Sequence, residues 1–262
     1  MKHNEKYHVH YHYTDRNFNL KLCYLAKYMQ ETALAAFDRL DAPRRELIDK
    51  NLAFFLSKIS FRFEGEIRKF DDIRVETWAL PVKSAAYIRN YRIYNESTGV
   101  CAVRAASSWV LINMAKKTIV HPNTLSENFT AINDDEELGF GPVRRIRTPD
   151  ESGLLTDESF LFEKEVFYCD IDENLHMNNT VYLDIVENAL WMMTRGVLPG
   201  KLCALDLSYN KGAVEGDRLS VSGLTIAGDF GTEIYLRGMI GKSNCFIARA
   251  CFGYTLDTVK AA

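Results

Sequence analysis

No stretch of this 262-residue chain approaches 18 consecutive apolar residues, so no membrane-spanning helix is expected. There is no C-x-x-C pair among the six cysteines, and most of them sit in apolar, strand-like runs such as Ile247-Ala-Arg-Ala-Cys-Phe252. Buried free thiols therefore fit better than a disulfide or zinc framework. A basic surplus is also missing. The net charge of −3 argues against nucleic-acid binding, which normally needs a positive face. Met1-Lys-His-Asn-Glu-Lys6 has no apolar core behind it, so no secretory leader is expected and a cytoplasmic protein is the simplest reading.

What is present is an ordinary globular mixture, 47% apolar and 26% charged. The length allows one large domain or two of about 130 residues. Tyr7-His-Val-His-Tyr-His-Tyr13 alternates like a strand and puts His8, His10 and His12 on one face. Such spacing spreads three rings over about 13 Å, with no carboxylate or thiol at ligand spacing, so a plain strand outweighs a metal site. Leu20–Phe37 follows with Leu22, Leu25, Met29, Ala33 and Phe37 on one face, which predicts a core helix. A weaker helical piece covers Arg44–Lys50. Strands are predicted at Phe54–Phe63, Ile73–Ala79, Ala86–Tyr94 and Cys101–Asn113. From about Pro122 to Gly153 the composition changes to acids, Gly and Pro, with the basic group Arg144-Arg-Ile-Arg147. This reads as a surface linker whose charges are either solvated or turned to an acidic partner.

The densest polar stretch is Asp170-Ile-Asp-Glu-Asn-Leu-His-Met-Asn-Asn-Thr180. Before it, Phe160–Tyr168 reads as a strand. After it, Val181, Ile185, Ala189, Leu190 and Met193 recur at helical spacing until Gly196. The polar residues thus sit where a helix begins and backbone N–H groups lack partners. On the residues alone, Asp172, Asn174, Asn178 and Asn179 serve equally as Asx turns and a helix cap. A calcium loop fails, because counting from Asp170 puts Leu175 where Gly is needed and Val181 where Glu is needed. Cys169 or Cys203 as nucleophile has no local signature to support it. Glu187, with Glu31 as its first-half counterpart, either reaches the site or serves packing.

The second half replays the first. Tyr13-Thr-Asp-Arg-Asn-Phe-Asn19 resembles Tyr168-Cys-Asp-Ile-Asp-Glu-Asn174, and Gln30–Leu34 lines up with Val186–Leu190. Ile59-Ser-Phe61 lines up with Leu207-Ser-Tyr209, and Val103-Arg-Ala105 with Ala248-Arg-Ala250. One strand–helix–multistrand unit appears twice. Each unit has a single apolar helix whose only large burial surface is an antiparallel sheet, so a sheet wrapped around a helix follows.

That architecture, with Asp172-x-Asn174-x-His176-Met-Asn178-Asn179-x-x-Tyr182, resembles the acyl-ACP (acyl carrier protein) thioesterases of plants and bacteria. Val75-Glu-Thr-Trp78 and Arg104-Ala-Ala-Ser-Ser-Trp109-Val look like that family's V-E-T-W and R-A-x-S-x-W-V stretches, and the likeness covers nearly the whole chain. The resemblance implies an α+β tandem hot-dog fold, each half an antiparallel sheet wrapped around a central helix. It implies a substrate-shaping first domain (1–128), a linker (129–158) and a second domain with the catalytic motif (159–262). The implied activity is hydrolysis of fatty acyl-ACP to free fatty acid, without cofactor or metal. Acyl carrier protein is the implied partner, and a homodimer is left open. An acyl-CoA thioesterase of the same fold, or a non-catalytic acyl- or carrier-binding protein, stands as the alternative.

Thioester hydrolysis needs an activated water and a stabilised oxyanion, which assigns His176 as proton acceptor and Asn174 as positioner. Asp172 then holds the local geometry, and N–H groups after Asn178 face the oxyanion. If the chain stays extended, residues 172, 174 and 176 point the same way. The first half has no His at the matching place, Lys21 being nearest, and Tyr28, Met29, Phe54 and Phe55 either line the acyl chain or pack the core. One departure stands out. The family usually carries a catalytic Glu three residues after the Tyr matching Tyr209, and here that residue is Gly212.

Overall fold

The computed structural model describes residues 2–39, 43–82, 86–121, 125, 134, 136–142, 145–148, 159–229 and 231–253. The chain divides into two compact units. The first holds residues 1–20 and 24–142, and the second holds 143–262 together with Lys21–Cys23. The fold is the α+β tandem hot-dog that the family resemblance implied, each half an antiparallel sheet with a long helix.

In the first unit the strands are β1 (His3–His8), β2 (Leu52–Phe63), β3 (Asp72–Ala79), β4 (Ala86–Asn95), β5 (Cys101–Asn113) and β6 (Thr118–Val120). Their order is β1-β3-β4-β5-β2, with β6 on β5. Helix α1 (Leu22–Asp38) buries Leu22, Leu25, Ala26, Met29 and Thr32, the spacing of one helical face. Two tyrosines tie it to β1: Tyr28 Oη donates to the His8 carbonyl at 3.1 Å, and Tyr7 Oη lies 3.0 Å from Thr32 Oγ1. The Thr32 hydroxyl itself donates to the Tyr28 carbonyl at 2.7 Å, so Tyr7 is the donor in the second contact. In β2 and β5, Phe61 stands opposite Ala105 and both are fully buried, a large residue over a small one. The short α2 (Pro43–Asp49) packs on β2.

The expected Tyr7–Tyr13 strand is corrected. Strand β1 ends at His8, opposite Asp72 at the start of β3, and Tyr11–Tyr13 forms one 3-10 turn. The ladder simply runs out there. Val9 N–H bonds the Asp71 carbonyl at 2.9 Å, Phe70 N–H bonds the Val9 carbonyl at 2.8 Å, and the partner chain turns away. His8 pairs with Asp72 at 2.8 Å while the His10 and His12 rings stack on each other at 5.8 Å. The three rings are therefore not ranged along one strand face.

In the second unit the strands are β7 (Phe160–Glu165), β8 (Leu202–Tyr209), β9 (Arg218–Gly228), β10 (Gly231–Ile240) and β11 (Ser243–Phe252). All pairs are antiparallel, in the order β8-β11-β10-β9-β7. The predicted strand Phe160–Tyr168 stops at Glu165, and Tyr168–Asp170 is again a 3-10 turn. Helix α3 (Asn179–Met193) packs on β7, β9 and β10. Its Leu183, Ile185, Val186 and Leu190 are at most 4% exposed, and each such side chain contributes about 1.5–3 kcal/mol. The helix ends before Gly196, whose φ of +79° no β-carbon residue adopts cheaply.

The predicted linker 129–158 falls mostly outside the described residues, Arg144 among them. Of its described part, Leu138 packs on Trp78 and Ala106 in the first unit. In the second unit Ile146 inserts between Tyr235 and Ile247, leaving Arg145 and Arg147 exposed. Arg145 and Arg147 thus flank a buried apolar anchor.

Asn178 caps α3, its Oδ1 accepting the Thr180 N–H at 2.9 Å and the Thr180 hydroxyl at 2.8 Å. Asn178→Ala is expected to cost about 1 kcal/mol of stability, because one helix-end N–H loses its acceptor. Urea unfolding should show a lower midpoint with unchanged slope.

Candidate active site

The Asp170–Thr180 stretch is a closed loop rather than an extended segment. Ile171 and Met177 form an antiparallel bridge, and Asp172 N–H donates to the His176 carbonyl at 2.9 Å. Between them Leu175 N–H donates to the Asp172 carbonyl at 3.0 Å, and Leu175 takes φ +61°. The conditional expectation that 172, 174 and 176 share one strand face is therefore overturned: the chain turns back within five residues. A Leu in left-handed backbone, itself 75% exposed, is strain of the kind that collects at functional sites.

The three predicted residues nevertheless meet in this loop. Asp172 Oδ1 accepts the backbone N–H of Asn174 at 2.9 Å, an Asx turn that holds the loop shut. Its carboxylate reaches a main-chain N–H, not the imidazole. His176 Nδ1 lies 2.8 Å from the Asn174 carbonyl oxygen. A carbonyl only accepts, so Nδ1 carries the proton, and in the neutral ring Nε2 carries the lone pair. The Asn174 side-chain amide has no hydrogen bond among the described residues. All three residues are half-buried.

The start of α3 offers less than expected. Thr180 N–H is taken by Asn178 Oδ1, and Val181 N–H donates to the Asn178 carbonyl at 2.9 Å. Among the described residues, the N–H of Asn179 is left at the first helical position. Asp170 is structural: its Oδ2 accepts from Lys164 Nζ at 2.5 Å and from Phe167 N–H at 2.9 Å.

The strand-to-loop segment carrying Gly212 runs against His176. A β-carbon placed on Gly212 would lie 2.5 Å from His176 Cδ2 and 3.3 Å from Nε2. Position 212 thus does face the imidazole, as the family comparison of motifs required, but the ring occupies the space. Glu215 is exposed at the tip of the next turn, where Asp217 N–H bonds the Val214 carbonyl at 3.1 Å. That turn carries Glu215 away from the strand alternation.

The first unit repeats the same loop at an offset of 157, not the 155 and 156 read from sequence. Asp15 N–H donates to the Asn19 carbonyl at 2.8 Å, Phe18 N–H to the Asp15 carbonyl at 3.0 Å, and Phe18 has φ +66°. Asp15 therefore matches Asp172, Asn17 matches Asn174, and Asn19, rather than Lys21, stands at the place of His176. The 3-10 turns Tyr11–Tyr13 and Tyr168–Asp170 share the offset, as do the buried positions of α1 and α3. Gln30, not Glu31, then matches Glu187. Further on, Leu20 N–H bonds the Ile67 carbonyl just as Met177 N–H bonds that of Ala213, both at 2.8 Å. This register puts Glu66 at the place of Gly212.

Residues that sequence reasoning left unassigned hold the Gly212 segment. Tyr182 Oη accepts the Ala213 N–H at 3.2 Å and lies 3.6 Å from Cys245 Sγ. Cys245 Sγ donates to the Lys211 carbonyl at 2.9 Å, and the Cys245 carbonyl accepts the N–H groups of Asn210 and Lys211. The motif's closing Tyr was the available signal for this contact. Burial pushes the thiol of Cys245 and the hydroxyl of Tyr182 upward, so both stay neutral donors.

Of the other cysteines, Cys203 is buried and donates to the Cys251 carbonyl at 3.0 Å, which removes it as a nucleophile. Cys169 is exposed and Cys101 half-buried, so the expectation of buried thiols holds for four of the six. At about pH 8, iodoacetamide should label Cys169 first. Cys251, whose thiol burial pushes up to about 12, should stay unlabelled until the protein unfolds, as peptide mass mapping would read.

Comparison with known proteins bears on the family and the fold. The acyl-ACP thioesterase N-terminal domain model matches residues 1–129, and the C-terminal domain model matches residues 155–240. The chloroplastic palmitoyl-acyl carrier protein thioesterase of Gossypium hirsutum is 25% identical over 208 residues, covering 76% of this chain. This chain spans about half that relative's length, 47%. An acyl-ACP thioesterase structure from Bacteroides thetaiotaomicron superimposes with TM-score 0.80 at 18% identity, over 95% of this chain and 97% of the other. The 12:0-ACP thioesterase of Umbellularia californica gives 0.79 at 16% identity, over 95% and 93%. Two domain models matched in order along a duplicated fold leave one conclusion: the chain belongs to the acyl-ACP thioesterase family.

Proposed function

We propose that this protein hydrolyses the thioester of a fatty acyl chain carried on acyl carrier protein, with His176 as general base. The observation that carries this reading is the 2.8 Å bond from His176 Nδ1 to the Asn174 carbonyl. It fixes the tautomer whose Nε2 can take a proton from water. The hydroxide formed attacks the thioester carbonyl carbon. Negative charge moves to the carbonyl oxygen, facing the Asn179 N–H and the Asn174 side-chain amide. One such donor is typically worth about 3–4 kcal/mol of barrier. On collapse the C–S bond breaks, the thiolate takes the proton from the His176 imidazolium, and free fatty acid and carrier thiol leave. Asp172 acts through the loop, by holding Asn174 N–H.

The same reading makes the first domain (1–128) the substrate-shaping half, the second (159–262) the catalytic half, and 129–158 their linker. In support, the first unit carries Asn19 where the second carries His176, so it lacks a base. Of the residues named as liners, Tyr28 spends its hydroxyl on the His8 carbonyl and Met29 is 2% exposed, while Phe54 stacks edge-on with Tyr87. Among the described residues no helix is long and apolar enough to cross a membrane. A cytoplasmic setting and a homodimer belong to the proposal and are read by fractionation and sedimentation.

His176→Ala should lower kcat/KM for acyl-ACP by about 10²–10⁴. A fall of less than about tenfold would remove His176 from this role. Offering purified protein acyl-ACP and acyl-CoA of one chain length separates the two carriers by kcat/KM. Binding without turnover would mark a non-catalytic acyl-binding protein instead.

A further inference from the structure

The geometry points to Gly212 as a positioning residue: its missing side chain makes room for the His176 imidazole, and the Tyr182–Cys245 pair fixes the backbone against which the ring rests. The inference rests on the proposed role of His176, and it reverses the sense of the Gly212 departure. The glycine is not a lost catalytic group beside an otherwise unchanged histidine. It is what permits this placement of the histidine.

Three observations carry it. First, Gly212 does not adopt positive φ, so its backbone does not require glycine. What excludes a side chain there is the imidazole itself, at 2.5 Å from a β-carbon. Second, the segment cannot easily retreat. Cys245 holds Asn210 and Lys211 by two backbone bonds and one thiol bond, Tyr182 holds Ala213 N–H, and Met177 N–H holds the Ala213 carbonyl. Met177 directly follows His176, so the ring and its wall are tied together at both ends. Third, the duplicated unit has Asn19 at the place of His176 and Glu66 at the place of Gly212, with the Glu66 carboxylate turned out to Arg68 at 2.7 Å. Where no ring stands at the first place, the second carries a side chain.

A side chain at 212 must therefore move the ring, since the backbone wall is tied by Cys245, Tyr182 and Met177. Moving it breaks the Nδ1 bond to the Asn174 carbonyl, and with it the tautomer that leaves Nε2 as base. The site then works with one imidazole and no carboxylate at 212, and supplying the carboxylate does harm rather than good.

The test is Gly212→Ala in the full chain, with long-range ¹H–¹⁵N spectra of the histidine rings, His176 being assigned by its loss in His176→Ala. Expected are changed ring-nitrogen shifts of His176, a kcat lowered by about tenfold or more, and KM within about twofold of wild type. Gly212→Glu should lower kcat at least as far. Unchanged His176 ring signals in Gly212→Ala would overturn the inference whatever the activity. Changed ring signals with wild-type kcat would overturn it too. The spectra do not need turnover, so a wild type that fails to hydrolyse acyl-ACP sinks the proposed function while the spectra still decide the placement. For the clamp, Cys245→Ser keeps a donor to the Lys211 carbonyl and should stay within about twofold of wild type. Cys245→Ala should shift the His176 signals and lower kcat, and identical behaviour of the two variants would remove Cys245 from the assignment.

Discussion

The second unit depends on a single main-chain closure, Asp172 N–H to the His176 carbonyl at 2.9 Å. It converts the exit of the 3-10 turn into the start of α3 within a few residues. It needs an acceptor at Asp172 to hold Asn174 N–H, and a residue willing to take positive φ at 175. Once it is closed, the Asn174 carbonyl and the His176 Nδ1 lie within 2.8 Å of each other. The Nδ1-protonated tautomer is thus held by a backbone acceptor. Asp172 acts on it by keeping the loop closed.

The same closure in the first unit, with Asp15 accepting two N–H groups at 2.8 and 2.9 Å, shows that the loop is a folding device before it is a site. Asp15 and Asn17 supply the turn, and the helix follows with its buried face in the same register. Chemistry enters with one exchanged residue, Asn19 against His176. The Asx turn and the helix cap read from the sequence are both present, and they leave the His176 ring and the Asn174 side-chain amide unspent by either.

Much of the fold was legible because hydrophobic spacing is what drives it. Strand Cys101–Asn113 came out with the bounds read from its alternation, and helix Leu20–Phe37 needed a shift of two residues at its start and one at its end. The place of the closed loop was legible from the clustering of polar residues at a helix start. Less legible was everything that turns on backbone torsion. The strand reading of Tyr7–Tyr13 ignored that β3 begins opposite His8, because alternation carries no information about where the partner strand's pairing runs out. The repeat was misaligned by two positions since Asp170 and Asp172 are both acidic, and a match on residue type chose the wrong one. Only the pattern of main-chain bonds, repeated around Asp15 and Asp172 but not around Asp170, separates them. Gly212 was readable as a departure and unreadable as a contact, for a glycine leaves no sign in sequence of what fills its place.

Volume then links these points. The imidazole and a side chain at 212 compete for one space, whose walls are fixed by Met177, Tyr182 and Cys245. The second unit holds an aromatic ring against bare backbone, and the first holds a small amide at the ring's place and a glutamate at the glycine's. Where both a histidine and a carboxylate occupy these positions in a related protein, the wall or the ring must stand elsewhere by about an ångström, since ordinary van der Waals contact begins at 3.4 Å and this space offers 2.5 Å. The bond to the Asn174 carbonyl therefore orients the ring only within the space that position 212 leaves open. That wall lies thirty-six positions along the chain, from His176 to Gly212.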